Sequence, residues 1–470
     1  MKRQGMLWSP LLLAASSACR VTPDYERPAL SLPERFVEAE SGIPPAPPPP
    51  QLDRWWTLLG DPLLSDLVER ARAQNLDLRR ARERVLEARA AHDRVRGTSG
   101  PRIDAQAGAS WLESSTNLGN SRFGDPDPTQ FHQAGFDASW ELDLFGRNAR
   151  AVEAAGAGAE AAEEDARAVQ VSLCAEVARH YVELRAAQEA EALTRANLEA
   201  QLSTVELVGV RARAQMASDL DLARAEAQAA STRALLPQLE TRASAARHGL
   251  AVLLGLPPGA LNVELSSAAE IPEAPVVDAA GVPADLLLRR PDLRGAEREL
   301  AGAAALSSEA RAELFPRISL GAALGLQANR VGDLLDGDSK TFSVGPGLFA
   351  PLFQSGALRA NVRAQDARAA QARLRYEQAV LNALREVEDA LVAADRERAR
   401  QASLAEALAA SRRALGLAQD MQRTGLADFF DVLEAQRTAL TAETALAESR
   451  GRLCTNTLLL YKALGGGWSE

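Results

Sequence analysis

The chain spells one programme twice. Residues 74–90, QNLDLRRARERVLEARA, return as residues 289–305, RRPDLRGAERELAGAAA, at an offset of 215. Pro101-Arg102-Ile103 meets Pro316-Arg317-Ile318 at the same offset. Further along the offset is 210. ASDLDLARAE (217–226) matches ADFFDVLEAQ (427–436), with Asp221 over Asp431, and Leu254-Gly255 matches Leu464-Gly465. In between, Leu144-Phe145-Gly146 meets Leu352-Phe353-Gln354-Ser355-Gly356, which reads as a two-residue insertion in the second copy. A tandem repeat of about 200 residues follows. Whatever one copy folds into, the other must fold into as well.

Each copy changes period in the same order. Asp61-Pro62 opens a helix, with Asp at the N-cap and Pro at N1. Leu63, Leu67, Ala71, Leu78, Ala81 and Val85 carry its helical spacing, which predicts one helix running to about Arg96. Then Ile103, Ala105, Ala107, Ala109 and Trp111 alternate with polar or small residues. After a turn-rich stretch, Ala134, Phe136, Ala138, Trp140, Leu142 and Leu144 do the same. In the second copy Ile318, Leu320, Ala322, Leu324 and Leu326 alternate, as do Phe342, Val344, Leu348 and Leu352. These are strands, expected at about 102–113, 131–145, 316–328 and 341–353. Long helical hairpins follow at about 147–254 and 356–464. Val169, Leu173, Val177, Tyr181 and Leu184 form one apolar stripe, and Pro237 should kink the return helix of the first hairpin. The domain plan is a leader at 1–18, an extended Pro-rich segment at 19–60, repeat one at 61–259, an irregular segment at 260–285, repeat two at 286–465 and a tail at 466–470.

Composition agrees with long helices. Hydrophobic residues are 46% but aromatics only 4%, so the apolar content is mostly Ala and Leu, which favour helix and close helix approach. With 53 Lys+Arg against 63 Asp+Glu the net charge is −10, which excludes a nucleic-acid partner. Lys2 and Arg3, the short apolar run Met6–Ala15 and the small residues 16–18 read as a secretory leader. Cys19 directly after them resembles a bacterial lipoprotein signal. That resemblance implies cleavage before Cys19, acylation of this residue and, with Arg20 next, sorting to the outer membrane. Cys174 and Cys454 are expected to be unpaired core residues rather than a bridge.

No stretch after residue 19 has 18 continuous apolar residues, so any membrane crossing must use strands in a closed barrel. Strands of roughly ten residues suffice for a bilayer when tilted. Four strands cannot close, because membrane barrels start at about eight. Three copies related by cyclic symmetry would supply about twelve. The alternating apolar faces would then meet lipid, with Trp111 and Trp140 as interface anchors. A soluble sandwich is the competing reading of the same strands. A helical run of about 60 residues extends roughly 90 Å, a length for which a monomeric globule has no use. A barrel continued by a tube of helices is a conduit.

The stretches CRVTPDYERP, RWWTLLGDPLLSDLVERA, SWELDLFGRNARAVEAA and RTGLADFFDVLEAQR resemble, in this order, the outer-membrane factors of tripartite efflux systems, the TolC superfamily. The acylated OprM/NodT-like branch is the nearest. The resemblance covers the chain from Cys19 to about Gly465. It implies an α+β membrane protein of mostly long helices, a homotrimer with a 12-stranded β-barrel in the outer membrane and a 12-helix α-barrel in the periplasm. It also implies a mixed equatorial region built from residues near 260–285 and the C-terminus, outer-membrane lipid around the barrel, and two partners: a periplasmic adaptor and an inner-membrane pump of the RND class. The cargo would be small molecules such as drugs, toxic compounds or metal ions. No cofactor, metal or catalytic role is implied.

By the same resemblance the turns near 214–219 and 424–428 are the periplasmic tips. Met216, Ala217 and Ser218 in one copy, and Gly425, Leu426 and Ala427 in the other, would meet the adaptor. Phe430 and Glu434 match an apolar and an acidic residue that constrict the pore, with Glu where Asp is more usual. Arg437 matches a basic residue of that helix, and Leu220 and Arg224 stand at the equivalent sites of repeat one. The first tip has Gln215-Met216 where Gly is common, which predicts a stiffer or differently shaped turn. Three Glu434 carboxylates in a ring would repel one another and attract cations.

No enzyme constellation competes. His92, His132, His180 and His248 are scattered, and none sits at ligand spacing. GDPDPT at 124–129 reads as a plain turn rather than a calcium loop. The rival functions are a type I protein secretion duct and a structural coiled-coil scaffold. The lipid-anchor motif argues against the first and the four alternating strands against the second.

Overall fold

Period-2 segments with one apolar edge need neighbours for their backbone groups, and the duplication supplies them within one chain. The computed structural model describes residues 25–29, 36, 52–113, 129–275 and 289–469. The leader, Cys19, most of the Pro-rich segment and residues 124–128 of the GDPDPT turn lie outside the described residues. In chain order, after a short 3-10 helix Leu52–Leu59, come α1 (Pro62–Gln74), α2 (Leu76–Thr98), β1 (Arg102–Leu112) and β2 (Thr129–Leu142). Then come α3 (Arg147–Arg213), α4 (Asp219–Arg233), α5 (Leu236–Leu253) and α6 (Pro291–Ala312). The second copy continues with β3 (Arg317–Ala328), β4 (Lys340–Phe349), α7 (Ser355–Arg423) and α8 (Phe429–Ala463). No helix among the described residues is long and apolar enough to cross a membrane.

The chain divides into two compact units. One holds residues 25–29, 84–162 and 295–376. Its four strands form one antiparallel sheet in the order β1-β2-β3-β4. Rows of facing residues cross all four strands. Ile103, Ala138, Ala322 and Val344 make one row, and Ala105, Phe136, Leu324 and Phe342 the next. The alternate rows are polar or small: Gln106, Gly135, Gly325 and Thr341, then Asp104, Asp137, Ala323 and Ser343. A Cβ on Gly135 would lie 2.7 Å from the Leu324 carbonyl oxygen, and one on Gly325 would lie 2.7 Å from that of Ala134. Two glycines therefore let β2 and β3 approach where a side chain would collide. The apolar face stays bare. Ile103, Trp111, Phe136, Leu324, Phe342 and Leu348 are all exposed. In a sandwich such a face would be covered, because a bare apolar sheet face loses the burial that stabilises it.

The register corrects one expectation. Ile103 and Ile318 sit 215 apart, and their partners Ala138 and Leu348 sit 210 apart. The second offset already holds inside the strands, so no two-residue insertion follows them. A shift of two keeps side-chain parity, so the repeated Leu-Phe pair imitates an alignment that the ladder rejects. β4 also stops at Phe349 rather than 353, two residues before Pro351, which has no N–H to donate.

In the same unit Tyr25 and Arg27 reach α6 and α7. The Tyr25 hydroxyl donates to Glu297 Oε1 at 2.9 Å, and Arg27 Nη2 donates to the Tyr376 hydroxyl at 3.3 Å. Burial, reinforced by the Glu297 carboxylate, raises the Tyr25 pKa above the usual phenol value.

The second unit holds residues 36, 52–83, 163–294 and 377–469, as far as they are described. Its core holds a cluster of buried aromatics. Trp55 and Trp56 are fully buried, and Trp55 stacks on Tyr461 at 5.6 Å. The stripe Leu173, Val177, Tyr181 and Leu184 is buried as its spacing requires. Asp61 accepts from Leu63 and Leu64 as the N-cap of α1 and also takes the Tyr181 hydroxyl at 2.5 Å. Burial and that contact push the Tyr181 hydroxyl up to about 12. Trp468 lies between the guanidiniums of Arg167 and Arg294, at 5.0 and 5.3 Å. The Gly467 N–H donates to the Leu52 carbonyl at 2.9 Å. Residues 466–468 are thus part of the core. Cys174 and Cys454 are buried and free, and burial pushes both thiols up to about 12.

The expected single helix from Pro62 to Arg96 is broken at Asn75. Its backbone turns extended (ψ 131). Its Oδ1 accepts from Leu78 N at 2.8 Å, and its Nδ2 donates to the Leu253 carbonyl at 2.9 Å. One side chain caps α2 and ties down the end of α5. Periodicity could not show this, because the apolar stripe continues through the break. The return helix of the first hairpin is also in two pieces, with Pro237 in the first turn of α5, as its ring requires.

Candidate functional site

The two hairpin turns, both within the second unit, are where the copies can be compared atom by atom. α3 closes with Met216 N on the Arg211 carbonyl at 2.8 Å and Gln215 N on Ala212 at 2.9 Å. α7 closes with Leu426 N on Met421 at 2.8 Å and Gly425 N on Gln422 at 3.2 Å. Both are Schellman closures, which need a left-handed residue. Gly425 supplies it at φ 74 without strain; Gln215 supplies it at φ 59, where a Cβ is crowded. The first turn therefore has the same closure as the second, and the absent glycine shows up as local strain rather than as a different shape.

The next helix is capped from the same position in both copies, though by different hydrogen bonds. Ser218 and Asp221 form a capping box at α4, each side chain taking the other's backbone N–H at 3.1 and 3.2 Å. Asp428 caps α8 by accepting from Phe429 N at 2.6 Å. Met216 and Leu426 project at the two apices, 77% and 75% exposed. Ala217 and Ala427 are half-buried, while Ser218 and Gly425 are exposed.

The side chains one turn further in differ between copies, and two of the differing positions meet. Arg224 of α4 places its guanidinium carbon 5.0 Å from the ring centroid of Phe430 on α8. A cation over an aromatic face at that distance is attractive by about 0.5–1 kcal/mol where exposed. Glu434 pairs within its own helix. Arg437 Nε lies 3.0 Å from Glu434 Oε2, and Nη2 lies 2.5 Å from Oε1. The hydrogen bonds and charge of Arg437 hold the Glu434 carboxyl below the usual carboxylate range. Leu220 is brought to neither pair and is exposed. The pairing of Arg224 with Phe430 crosses from one repeat to the other and is not among the expectations from the sequence. The compensating divergence, Arg gained in one copy and Phe in the other, was the available signal.

Among the described residues no group of three or more His, Cys, Asp or Glu could hold a metal ion. The tip offers apolar residues at the apices, a fixed acid–base pair and a guanidinium on an aromatic ring, which suits contact and constriction.

The model of the outer membrane efflux protein family matches the chain twice, over residues 67–256 and 282–466, once per repeat. The pyoverdine export outer membrane protein OpmQ of Pseudomonas aeruginosa is 33% identical over 100% of this chain and 98% of its own. The cation efflux system protein CusC of Escherichia coli is 29% identical over 97% of each. The solved outer-membrane channel OprN superposes with a TM-score of 0.90 at 37% identity, covering 96% of this chain and 100% of its own. The bare apolar sheet face, the long hairpins and these likenesses have one account: the chain belongs to the outer membrane efflux protein family and is an efflux channel of the Gram-negative outer membrane.

Proposed function

We propose that three copies close into one duct, in which twelve strands form a lipid-embedded barrel and the hairpins form a periplasmic tube. The observation that carries this reading is the sheet. Four strands present one continuous apolar face and one polar face, and both edge strands, β1 and β4, have no strand partner on their outer side among the described residues. In lipid every backbone group must be paired, so the edges must meet other copies. Cys19 is the acylation site that anchors the chain. The turns at Met216–Ser218 and Gly425–Ala427 dock a periplasmic adaptor, which links the duct to an RND-type inner-membrane pump.

Phe430 and Glu434 narrow the periplasmic end. Arg224 holds Phe430 from the neighbouring hairpin, and Arg437 keeps Glu434 ionised and oriented. Transport through the duct is passive, and cargo is chosen by the pump. Relatives named for pyoverdine export and for cation efflux align with this chain over nearly its whole length, which supports a duct without a cargo site of its own. The test uses purified protein in planar bilayers. Phe430→Ala combined with Glu434→Ala is expected to raise single-channel conductance. Unchanged conductance, with trimers still present on unheated gels, would sink the gate assignment.

A further inference from the structure

The duplication fixes more than the fold of each copy: it fixes how one copy must meet the next. This inference rests on the ring of copies proposed above. Inside the chain the ladder between β2 and β3 joins the second strand of repeat one to the first strand of repeat two. The seam between subunits would join β4 to β1 of the next copy, which is again a second strand meeting a first. The strand offsets are constant, 210 from β2 to β4 and 215 from β1 to β3. Each pair in the β2–β3 ladder can therefore be moved to the seam. Ala134 facing Leu326 becomes Val344 facing Trp111, and Gly135 facing Gly325 becomes Gly345 facing Ser110. Asp137 facing Ala323 becomes Gly347 facing Gly108, and Ala138 facing Ala322 becomes Leu348 facing Ala107.

We infer that β4 of one copy pairs antiparallel with β1 of a second copy in this register, with Val344 opposite Trp111, Gly345 opposite Ser110, Gly347 opposite Gly108 and Leu348 opposite Ala107.

Two further observations support this register. The first is parity. Val344 and Leu348 belong to the apolar face, as do Trp111 and Ala107, while Gly345, Gly347, Ser110 and Gly108 belong to the polar one. The transferred register keeps both faces continuous across the seam, and a slip of one residue would invert them. The second is Gly345. Its counterpart Gly135 has to be glycine, since a Cβ there would meet the Leu324 carbonyl oxygen at 2.7 Å. Gly345 has nothing within 4 Å inside its own chain, so the protomer gives no reason for a glycine at this place. A strand on the far side gives one, though a less close one than at Gly135, because the facing residue is Ser110, whose Cβ excludes the full approach that Gly325 allows. Parity leaves a slip of two residues open, and the duplication excludes it.

Cysteine cross-linking of the full-length protein in outer membranes separates the registers. Four double variants recombine the same four sites. Ser110→Cys with Gly345→Cys, and Gly108→Cys with Gly347→Cys, are matched. Ser110→Cys with Gly347→Cys, and Gly108→Cys with Gly345→Cys, are slipped by two. Directly opposed residues lie about 4.5–5.5 Å apart, within disulfide reach, while diagonal neighbours at about 7–8 Å fall outside it. Within one chain β1 and β4 are three strand spacings apart, roughly 14 Å, so any bridge is between copies. The single variants and the parent chain report any background from the native cysteines. The expected result is a dimer and trimer ladder on non-reducing gels, after mild oxidation, for the matched pairs alone. A ladder from the slipped pairs instead overturns the register. So does the absence of any ladder while unheated gels still show the trimer. Absence of the trimer in the parent chain overturns the ring itself and the register with it.

Discussion

The two hairpins began as one sequence and differ in how each side-chain position has been reused. Their turns close with the same pair of backbone hydrogen bonds, although one uses Gly425 and the other Gln215. The return helix is continuous in the second copy, Phe429–Ala463, but broken before Pro237 in the first. At the far end the carbonyls of Leu253 and Ala463, 210 residues apart, are each tied back by the residue that precedes the helix leading into the first strand of the same repeat. Asn75 does this in one copy and Arg290, at 3.0 Å, in the other. Arg290 also binds Asp292 and Glu386, at 2.8 and 2.7 Å. Duplication thus preserved the turn closures and the far-end tie while the residues that make them diverged, since a backbone closure can be kept by several residues and a side-chain pair cannot.

The strongest way to break this comparison is to exchange the helix break. Ala447 stands where the first copy has Pro237, and it is buried. Ala447→Pro removes an N–H and crowds the preceding turn, so it is expected to destabilise the second hairpin by about 3 kcal/mol, read as a lowered unfolding midpoint. Pro237→Ala should shift the midpoint far less. Equal effects would show that the break is not a built-in difference.

The turns allow a smaller exchange. Gly425→Ala forces a Cβ into the left-handed region and should cost about 1 kcal/mol, whereas Gln215→Gly relieves strain and should stabilise by about 0.5 kcal/mol. Amide exchange at Leu426 should quicken about fivefold in the first variant, and exchange at Met216 should slow in the second. Matching losses in both would mean that Gln215 is not strained.

The smallest expected effect is a pH dependence at the tip. Arg437 lowers the pKa of Glu434, so the paired state is present above the ordinary carboxylate range and is lost as pH falls through the lowered value. Both side chains are exposed, so this is a change in charge at the mouth more than in stability. Cation block of the conductance should persist below the usual glutamate pKa. Arg437→Gln should move its loss to higher pH, and an unmoved profile would detach Glu434 from the block.

Much of this was legible from the chain itself. The duplication, the alternating strands, the hairpin turns and the cap at Asp61 are local or repeating signals, carried by residues a few places apart. Asn75 was not legible, because its partner carbonyl at Leu253 is far off in sequence. Neither was the core position of Trp468, set by Arg167 and Arg294. Of the five residues singled out beside the turns, the fold joined Arg224 to Phe430 and kept Glu434 for Arg437. It also settled the strand register, which period-2 patterning leaves free by two residues. By itself the sequence determined which elements form, because propensity, period and capping act over one or two turns of chain. Only the tertiary structure decided which side chains share a partner, because that depends on distances between elements that the chain order does not contain.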